Sequence, residues 1–464
     1  MKTNTLANII LFYLLSLSIS SFAQDAGFKI QRAQENYSYL KDSTNLAVGD
    51  AIKYISLNKN RTSYLTLGGS VRVTYDNFEN QFWIIDRDLH YYAQKLAFHT
   101  AWNFGNNFRI FGEFHSGLVS GDPLFLFTDD LDLHQGFAEY RTDSKNLTIR
   151  VGRQEVKYGT GRLYDLRLGP SLRQSFDLGK VIWSEKDFNI DFFYGNAVQL
   201  NFGVFDNTSN IFKKARPFQK VWGAYGQFTI LPKIGEGINT ELYYLGLNTA
   251  QSTFNDVTGE ETRHTIGIRR FGKWGKRFTH NHELTYQFGK IAENTISAIN
   301  FETHWQYQMI NTKWMPAIGL KLDWSTGDGA ANDGAINSFN PMFVDPSIYG
   351  LASINTPVNI FSLHPSITLF PSRKMMIQLE YAFFYRSSID DGLYLPPSIL
   401  AIPADDSVKS KDVGNTIGLI AIYSINKNFR FLLRSTYFRS GEFITKKGLS
   451  DEVFQISPQL TFTF

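Results

Sequence analysis

The chain has 464 residues and a formal net charge of +3; 15% of it is Phe, Tyr or Trp, and only 19% is charged. That balance excludes a disordered chain, and 36 glycines without a triplet period exclude collagen. The lack of any Cys excludes a disulfide scaffold, a thiolate metal site, a cysteine nucleophile and a lipidated N-terminal cysteine, and so small a net charge gives no reason to expect a nucleic-acid partner.

Residues 1–23 read as a secretory signal peptide. Lys2 supplies the positive end, Ile9 to Leu17 the apolar run, and Ser21 and Ala23 the small residues before a cleavage point at Gln24. The apolar run is about half the length a spanning helix needs. Removing Lys2 from the 46 basic residues leaves 45 against 43 acidic ones in the exported chain. Residues 24–63 contain FKIQRAQENYSYLKD and AIKYISL, a short helical or irregular segment expected on the periplasmic side and too short for a separate domain.

From residue 64 to residue 464 the pattern has period two, in strands of about ten residues. Ile299, Phe301, Thr303, Trp305 and Tyr307 share one face, and Asn300, Glu302, His304 and Gln306 the other. Ile318, Leu320, Leu322 and Trp324 oppose Lys321 and Asp323, and Ile377, Leu379, Tyr381 and Phe383 oppose Gln378 and Glu380. A soluble sandwich also alternates. The membrane version is favoured by aromatic residues near the strand ends and by connections that alternate in length. Short turns fall at Gly105–Asn107, Asp143–Lys145, Glu185–Asp187, Pro371–Arg373 and Asn426–Asn428. Long loops fall at Val119–Leu133, Val156–Leu172, Ala197–Gln219, Thr326–Val358 and Ser387–Asp412. Pro346 to Ser372, the longest stretch without a formal charge, holds four prolines and cannot be a lipid-embedded helix. The fold expected is all-β: a transmembrane antiparallel up-and-down barrel of about 18 strands, with short periplasmic turns, long extracellular loops and both termini on the periplasmic side.

The block from Arg150 to Lys180 stands out by charge. Arg150, Arg153, Lys157, Arg162, Arg167, Arg173 and Lys180 face only Glu155, Asp165 and Asp177 in sequence. Alternation turns Leu147, Ile149 and Val151 to lipid and Arg150 and Gln154 to the lumen. On the return strand it turns Phe176, Leu178 and Ile182 to lipid, with Arg173 and Asp177 inward. Lys95, His99, Arg109, Glu113, His115, Gln135, Glu139 and Arg141 have inward parity. Arg153 has lipid parity, so a bulge turns it inward or it sits at the rim. Two readings stay open: a basic path for a polyanion, with planar guanidinium forks on carboxylates, or a ladder of Arg–carboxylate pairs bracing the wall.

The Thr326–Val358 loop, rich in Gly and Asn, is either a constriction lid or a surface loop. Asp129, Asp130 and Asp132, Asp390 and Asp391, and Asp405 and Asp406 lie in long loops and read as solvated tips rather than cation sites. His280 and His282 are two apart on one strand face, a spacing a metal can use; the same face continues with Leu284, Tyr286 and Phe288, which favours wall histidines. No GxSxG, HExxH or Walker sequence occurs. Neither an enzyme nor a cofactor or metal is expected.

In the last strand Phe454, Ile456, Pro458, Leu460, Phe462 and Phe464 form an apolar stripe opposite Gln455, Ser457, Gln459, Thr461 and Thr463. A terminal strand of this kind resembles the closing strand of bacterial outer-membrane proteins, with Phe464 as the signal to the barrel-assembly machinery. RAQENYSYLKD (Arg32–Asp42), YLTLGGSVRVTYD (Tyr64–Asp76) and above all LTIRVGRQEVKYGTGRLYDLRLGPSLRQSFD (Leu147–Asp177) resemble the alginate-export family of outer-membrane proteins. That resemblance implies a monomeric barrel with a basic, constricted lumen for an acidic polysaccharide, in contact with outer-membrane lipid and lipopolysaccharide. The expected function is a passive channel for an acidic or polar saccharide. The expected path residues are Arg109, Glu113, Arg141, Arg150, Arg153, Gln154, Lys157, Arg162, Arg173 and Asp177. A general diffusion porin and a closed structural or adhesion barrel are the alternatives.

Overall fold

Alternation gives most strands one apolar and one polar face, and closing such strands into a ring must send one face to lipid. The computed structural model describes residues 28–43, 49–80, 88–121, 128–169, 173–209, 218–230, 238–345, 347, 354–396, 398–449 and 452–464; the expected signal peptide lies outside them. They form a 20-stranded sheet, two members of which, Ile55–Ser56 and the parallel-paired Ala335–Ile336, are two-residue additions. The other 18 are the staves of a barrel: β1 Tyr64–Glu79, β2 Leu89–Phe104, β3 Phe108–Ser120, β4 Asp129–Arg141, β5 Leu147–Gln154, β6 Phe176–Ser184, β7 Phe188–Ala197, β8 Gln219–Ile230, β9 Ile238–Phe254, β10 Val257–Trp274, β11 Phe278–Ile291, β12 Asn294–Gln308, β13 Ala317–Ser325, β14 Ile360–Ser372, β15 Met375–Arg386, β16 Asp412–Ser424, β17 Phe429–Ser440 and β18 Val453–Thr463. Each pairs with its neighbours in the chain, and β1 closes on β18 with Val71 opposite Phe462 and Val73 opposite Leu460. Closure leaves no edge in lipid.

The outer surface is apolar. Leu96, Phe98, Ile110, Val151, Phe192, Leu242, Ile268, Leu284, Leu320 and Leu379 are all more than 40% exposed, which is the inverse of a soluble sandwich. Among the described residues no helix is long and apolar enough to cross a membrane. One rim is not long-looped throughout. On the rim opposite the termini, two-residue turns at 255–256 and 292–293 join β9 to β10 and β11 to β12, with Asn255 and Ala292 at positive φ. The strands there are long, 17 and 18 residues for β9 and β10, so these hairpins project where loops were expected.

Chain packs into the lumen. The chain from 155 to 169 folds inward and packs Val156, Leu163 and Tyr164 against Phe176, Leu178, Phe193, Tyr225 and Tyr243 of the wall, joined by Phe339, Met342 and Phe343 of the β13–β14 loop. Over β14–β18, a hairpin of Leu393–Leu395 with Ile399–Ile402 and the helix Glu442–Lys446 build an apolar cap. Arg386 holds this cap, donating to the carbonyls of Ile389, Asp391, Val408 and Ser410, with Phe443 under its guanidinium at 3.6 Å.

Two adjacent short staves, β5 and β6 with 8 and 9 residues, leave the upper edge of β4 without its neighbour. Residues 202–205 cover it from outside: Phe205 N–H donates to Leu131 O at 2.9 Å and Leu131 bridges Val204 in parallel. This is the usual need to cover an open edge, met by a loop.

Candidate functional site: the barrel lumen

The 155–169 segment crosses the lumen because its charged and aromatic residues find partners on the far wall. Gly159 and Gly161 take positive φ, and a Cβ on Gly161 would run into the Asp165 carboxylate. Tyr158 stacks on Tyr225 at 4.3 Å, and its hydroxyl donates to Asp191. Arg162, 3% exposed, reaches Glu302 of β12 and, at 2.5 Å, Asp323 of β13. The end of the loop meets the opposite side. Leu168 O accepts from Arg72 Nη1 of β1 at 2.7 Å, and Leu168 N–H donates to Asp345 at 2.9 Å.

At that end four cations converge. Arg72 and Lys95 are register partners on β1 and β2, with inward side chains. Arg173 and Arg434 stand within electrostatic reach of Arg72, and Arg173 also of Lys95, with Asp76, Glu113 and Glu155 as the nearby carboxylates. Like charges directly opposite on adjacent strands are destabilising. Lys95 Nζ is buried without a hydrogen-bond partner, and so is Arg434 Nε. Bracing explains neither. Around them Ser70, Arg434, Gln459 and Thr461 stay half-exposed on the lumen side, whereas the β6–β9 side is packed shut.

The mouth beside the termini is narrowed by the N-terminal segment. Expected outside the barrel, residues 30–40 lie within it because inward wall residues offer both apolar surface and donors. Ala33 packs on Ala101, Phe111 and Phe137. Arg109 donates to Ala33 O at 2.6 Å and Arg173 to Ile30 O at 3.4 Å, while Arg32 pairs with Glu35 and donates to Phe464 O at 2.9 Å. Lys53 anchors the following stretch, donating to Leu67 O at 2.9 Å.

Burial, reinforced by the Arg32 guanidinium, pushes the Lys53 ammonium down to about 8. A lysine with a lowered folded value weighs against the docked state while it stays protonated. The docked state therefore gains stability as pH rises from about 8 toward the free lysine value near 10.4. If docking narrows the mouth, conductance falls as the pH is raised across that window, and Lys53→Met removes the dependence. A pH-indifferent wild type beside an unchanged variant would take Lys53 out of the docking equilibrium.

Most of the sequence-predicted path residues make wall or loop contacts. Arg109 holds the N-terminal segment. Glu113, 1% exposed, accepts from Gln135 at 2.7 Å and lies 2.6 Å from His115. Arg141 sits at the short-turn rim, its side chain 46% exposed. Arg150 donates twice to Glu139 over the Phe137 ring. Gln154 is buried against the carbonyls of Gly152 and Leu178. Lys157 pairs with Asp165 at 2.5 Å. Glu155, though burial opposes its charge, is held below the usual carboxylate range by Arg173 and His134.

Two orientations need correction. Phe176 and Leu178 point into the lumen, 0% and 3% exposed, and Ile182 shares their parity. Asp177 points outward and pairs with Arg153 at 3.0 Å. The register runs without a bulge, Arg150 opposite Lys180 and Arg153 opposite Asp177. Apolar residues face inward here because the inside is packed chain rather than water. Arg153 also donates to Leu133 O and Asn207 O, pinning the segment that covers the β4 edge.

The convergence of Arg72, Lys95 and Arg434 with Arg173 was missed in sequence, although each sits between outward apolar neighbours (Val71 and Val73, Leu96, Leu433). His280 and His282 lie on the outer face among Trp274, Phe278 and Trp305. Asp129 and Asp132 bind Asn207, and Asp391 accepts from Ser338, Tyr394 and the Asp328 N–H. Among the described residues no group of three metal-ligating side chains is disposed to hold an ion.

The alginate export family profile matches residues 63–454. In architecture the chain is similar to OccK11 (OpdR) of Pseudomonas aeruginosa, at 13% identity and a TM-score of 0.55 over 86% of this chain and 96% of that one. It is similar also to a BenF-like porin from Pseudomonas fluorescens Pf-5, at 10% identity and 0.58 over 86% and 98%. OccAB1 of Acinetobacter baumannii aligns at 11% identity and 0.57 over 89% and 99%. At such identities the likeness is one of fold. No curated protein is similar to the chain in sequence. The fold is that of outer-membrane porins, and the chain belongs to the alginate export family.

Proposed function

We propose that the protein is a passive, monomeric outer-membrane channel that moves an acidic saccharide past a cationic constriction. The observation that carries this reading is the opposed pair Arg72 and Lys95, with Arg173 and Arg434, at the end of the inward loop. A polyuronate brings further carboxylates to a group in which Lys95 Nζ and Arg434 Nε are left without hydrogen-bond partners, and guanidinium forks take them in pairs. Low-dielectric walls focus the field of the four cations on whatever passes. Arg150, Arg153, Lys157 and Arg162 then serve to hold wall and loop, and Arg173 serves both roles.

Replacing Arg72 and Arg434 by Gln is expected to lower the anion-to-cation permeability ratio by about fivefold, equivalent to roughly 1 kcal/mol of attraction for an anion at contact distance. Reversal potentials under a salt gradient read this directly, and block by alginate oligomers should weaken in parallel. Unchanged selectivity and block would overturn the proposal. The filled β6–β9 side of the lumen favours a second reading, a closed structural barrel, which a wild type without conductance would support.

A further inference from the structure

The lipid-facing surface near the periplasmic rim has one row that does not belong in hydrocarbon. Across β9 to β12 the outward row Leu242, Ile268, Leu284 and Phe301 is apolar. The next row toward the periplasm is Thr240, Arg270, His282 and Thr303, register partners in sequence. Below it come Gly272, His280 and Trp305, then Trp274, Phe278 and Tyr307. Arg270 is exposed on this outer face. His280, 3% exposed, is enclosed by Trp274 at 4.8 Å and His282 at 5.2 Å, and neither of its ring nitrogens has a hydrogen-bond partner. His282 spends one nitrogen on Thr303 at 2.8 Å.

The charge on the chain from Arg270 to His282 has one sign: Arg270, Lys273, Lys276 and Arg277 lie there with no carboxylate, while Arg263 and Arg269 turn inward and pair with Glu261 and Glu241. The periplasmic turns at 142–146 and 185–187, by contrast, hold Asp143, Glu185 and Asp187. An arginine on the lipid face costs least at the interface and more with depth, and Arg270 lies two rows inside the Trp274 ring. An anion within reach of its long side chain, which can extend toward the interface, would repay the cost, and the anion a bilayer holds at that interface is a phosphodiester.

We propose that this face binds the phosphate of an anionic phospholipid in the periplasmic leaflet. Arg270, reaching toward the rim, and His282 take the phosphate oxygens beside the Trp274 and Trp305 rings, with His280 packed behind them, and the glycerol and acyl chains run inward over Ile268 and Leu284. The cations of the 273–277 turn favour a headgroup with net negative charge. The leaflet follows from reading the short-turn rim as periplasmic, and so rests on the outer-membrane reading of the chain.

The test is native mass spectrometry of the full purified chain from mixed micelles of equal phosphatidylglycerol and phosphatidylcholine. Retained phosphatidylglycerol should exceed phosphatidylcholine by about fivefold, the effect expected of one well-placed cation. Arg270→Gln should bring the ratio to about one, and Arg270→Lys should keep most of it. Equal retention in the wild type, or an unchanged ratio in Arg270→Gln, would overturn the site. Displacement of the lipid by inorganic phosphate would overturn a lipid ligand in favour of a free anion. The readout needs no conductance, so it stands or falls apart from the channel proposal.

Discussion

A chain lacking residues 28–43 should still close its barrel and should conduct ions at roughly twice the wild-type level or more, since pore width sets the current. No residue of that segment belongs to the 18 staves, and the closing pairs of β1 with β18 do not involve it. What it contributes is obstruction: Ala33 seated on Ala101, Phe111 and Phe137, and Arg32 tied to Phe464. Removal wets Phe111 and Phe137 and frees Arg109, so some loss of thermal stability accompanies the gain in current. Ala33→Trp separates the two effects. An indole has no room at a site 5% exposed, so overpacking expels the segment while the chain keeps its length. Single-channel conductance in planar bilayers gives the answer, with circular dichroism confirming the sheet. Wild-type conductance in both variants would show that the current does not pass this mouth.

Such a segment is hard to foresee from sequence, and the reason is physical. RAQENYSYLKD has no period that distinguishes a strap in a lumen from a strand of chain in the periplasm. The distinction lies in Arg109 and Phe111, seventy-odd residues away, whose inward faces become a surface only once the ring has closed. The barrel itself was legible because alternation is local: Ile299, Phe301 and Trp305 declare one face without help from any other strand. The same rule misplaced Phe176 and Leu178. It equates apolar with lipid, and it fails where the lumen is filled by Tyr164 and Phe343 instead of water. The Arg150–Lys180 block was visible as charge, but charge alone does not tell a strap from a path. Most of its members found carboxylates, whereas Lys95 and Arg434 kept unpartnered nitrogens. Recognising that requires the register Arg72–Lys95 and the approach of β17, neither of which is written in a single strand.

Replacing Arg162 by Met should release the inward loop at a cost of about 3–5 kcal/mol, the usual penalty for removing one member of a buried ion cluster. Glu302 and Asp323 are 3% and 0% exposed, and with the guanidinium gone two carboxylates face each other without a cation between them. The barrel wall does not depend on this contact, since β12 and β13 pair along their length through the backbone. The strain should therefore appear first in the loop, as faster proteolysis at Lys157 and Arg167 and as larger, noisier conductance. Adding Glu302→Gln and Asp323→Asn to the variant removes the repulsion without restoring the strap. If Arg162 acts as a strap, the triple variant recovers thermal stability while its loop stays open to protease and its current stays high. If proteolysis and current both return to wild type, the loop is held by Tyr158, Tyr164 and Phe343 alone, and the charge cluster serves only the wall. A buried cluster that crosses the lumen adds little net stability over apolar packing, so its value to this barrel lies in where it holds Leu168, against Arg72 and beside the four cations.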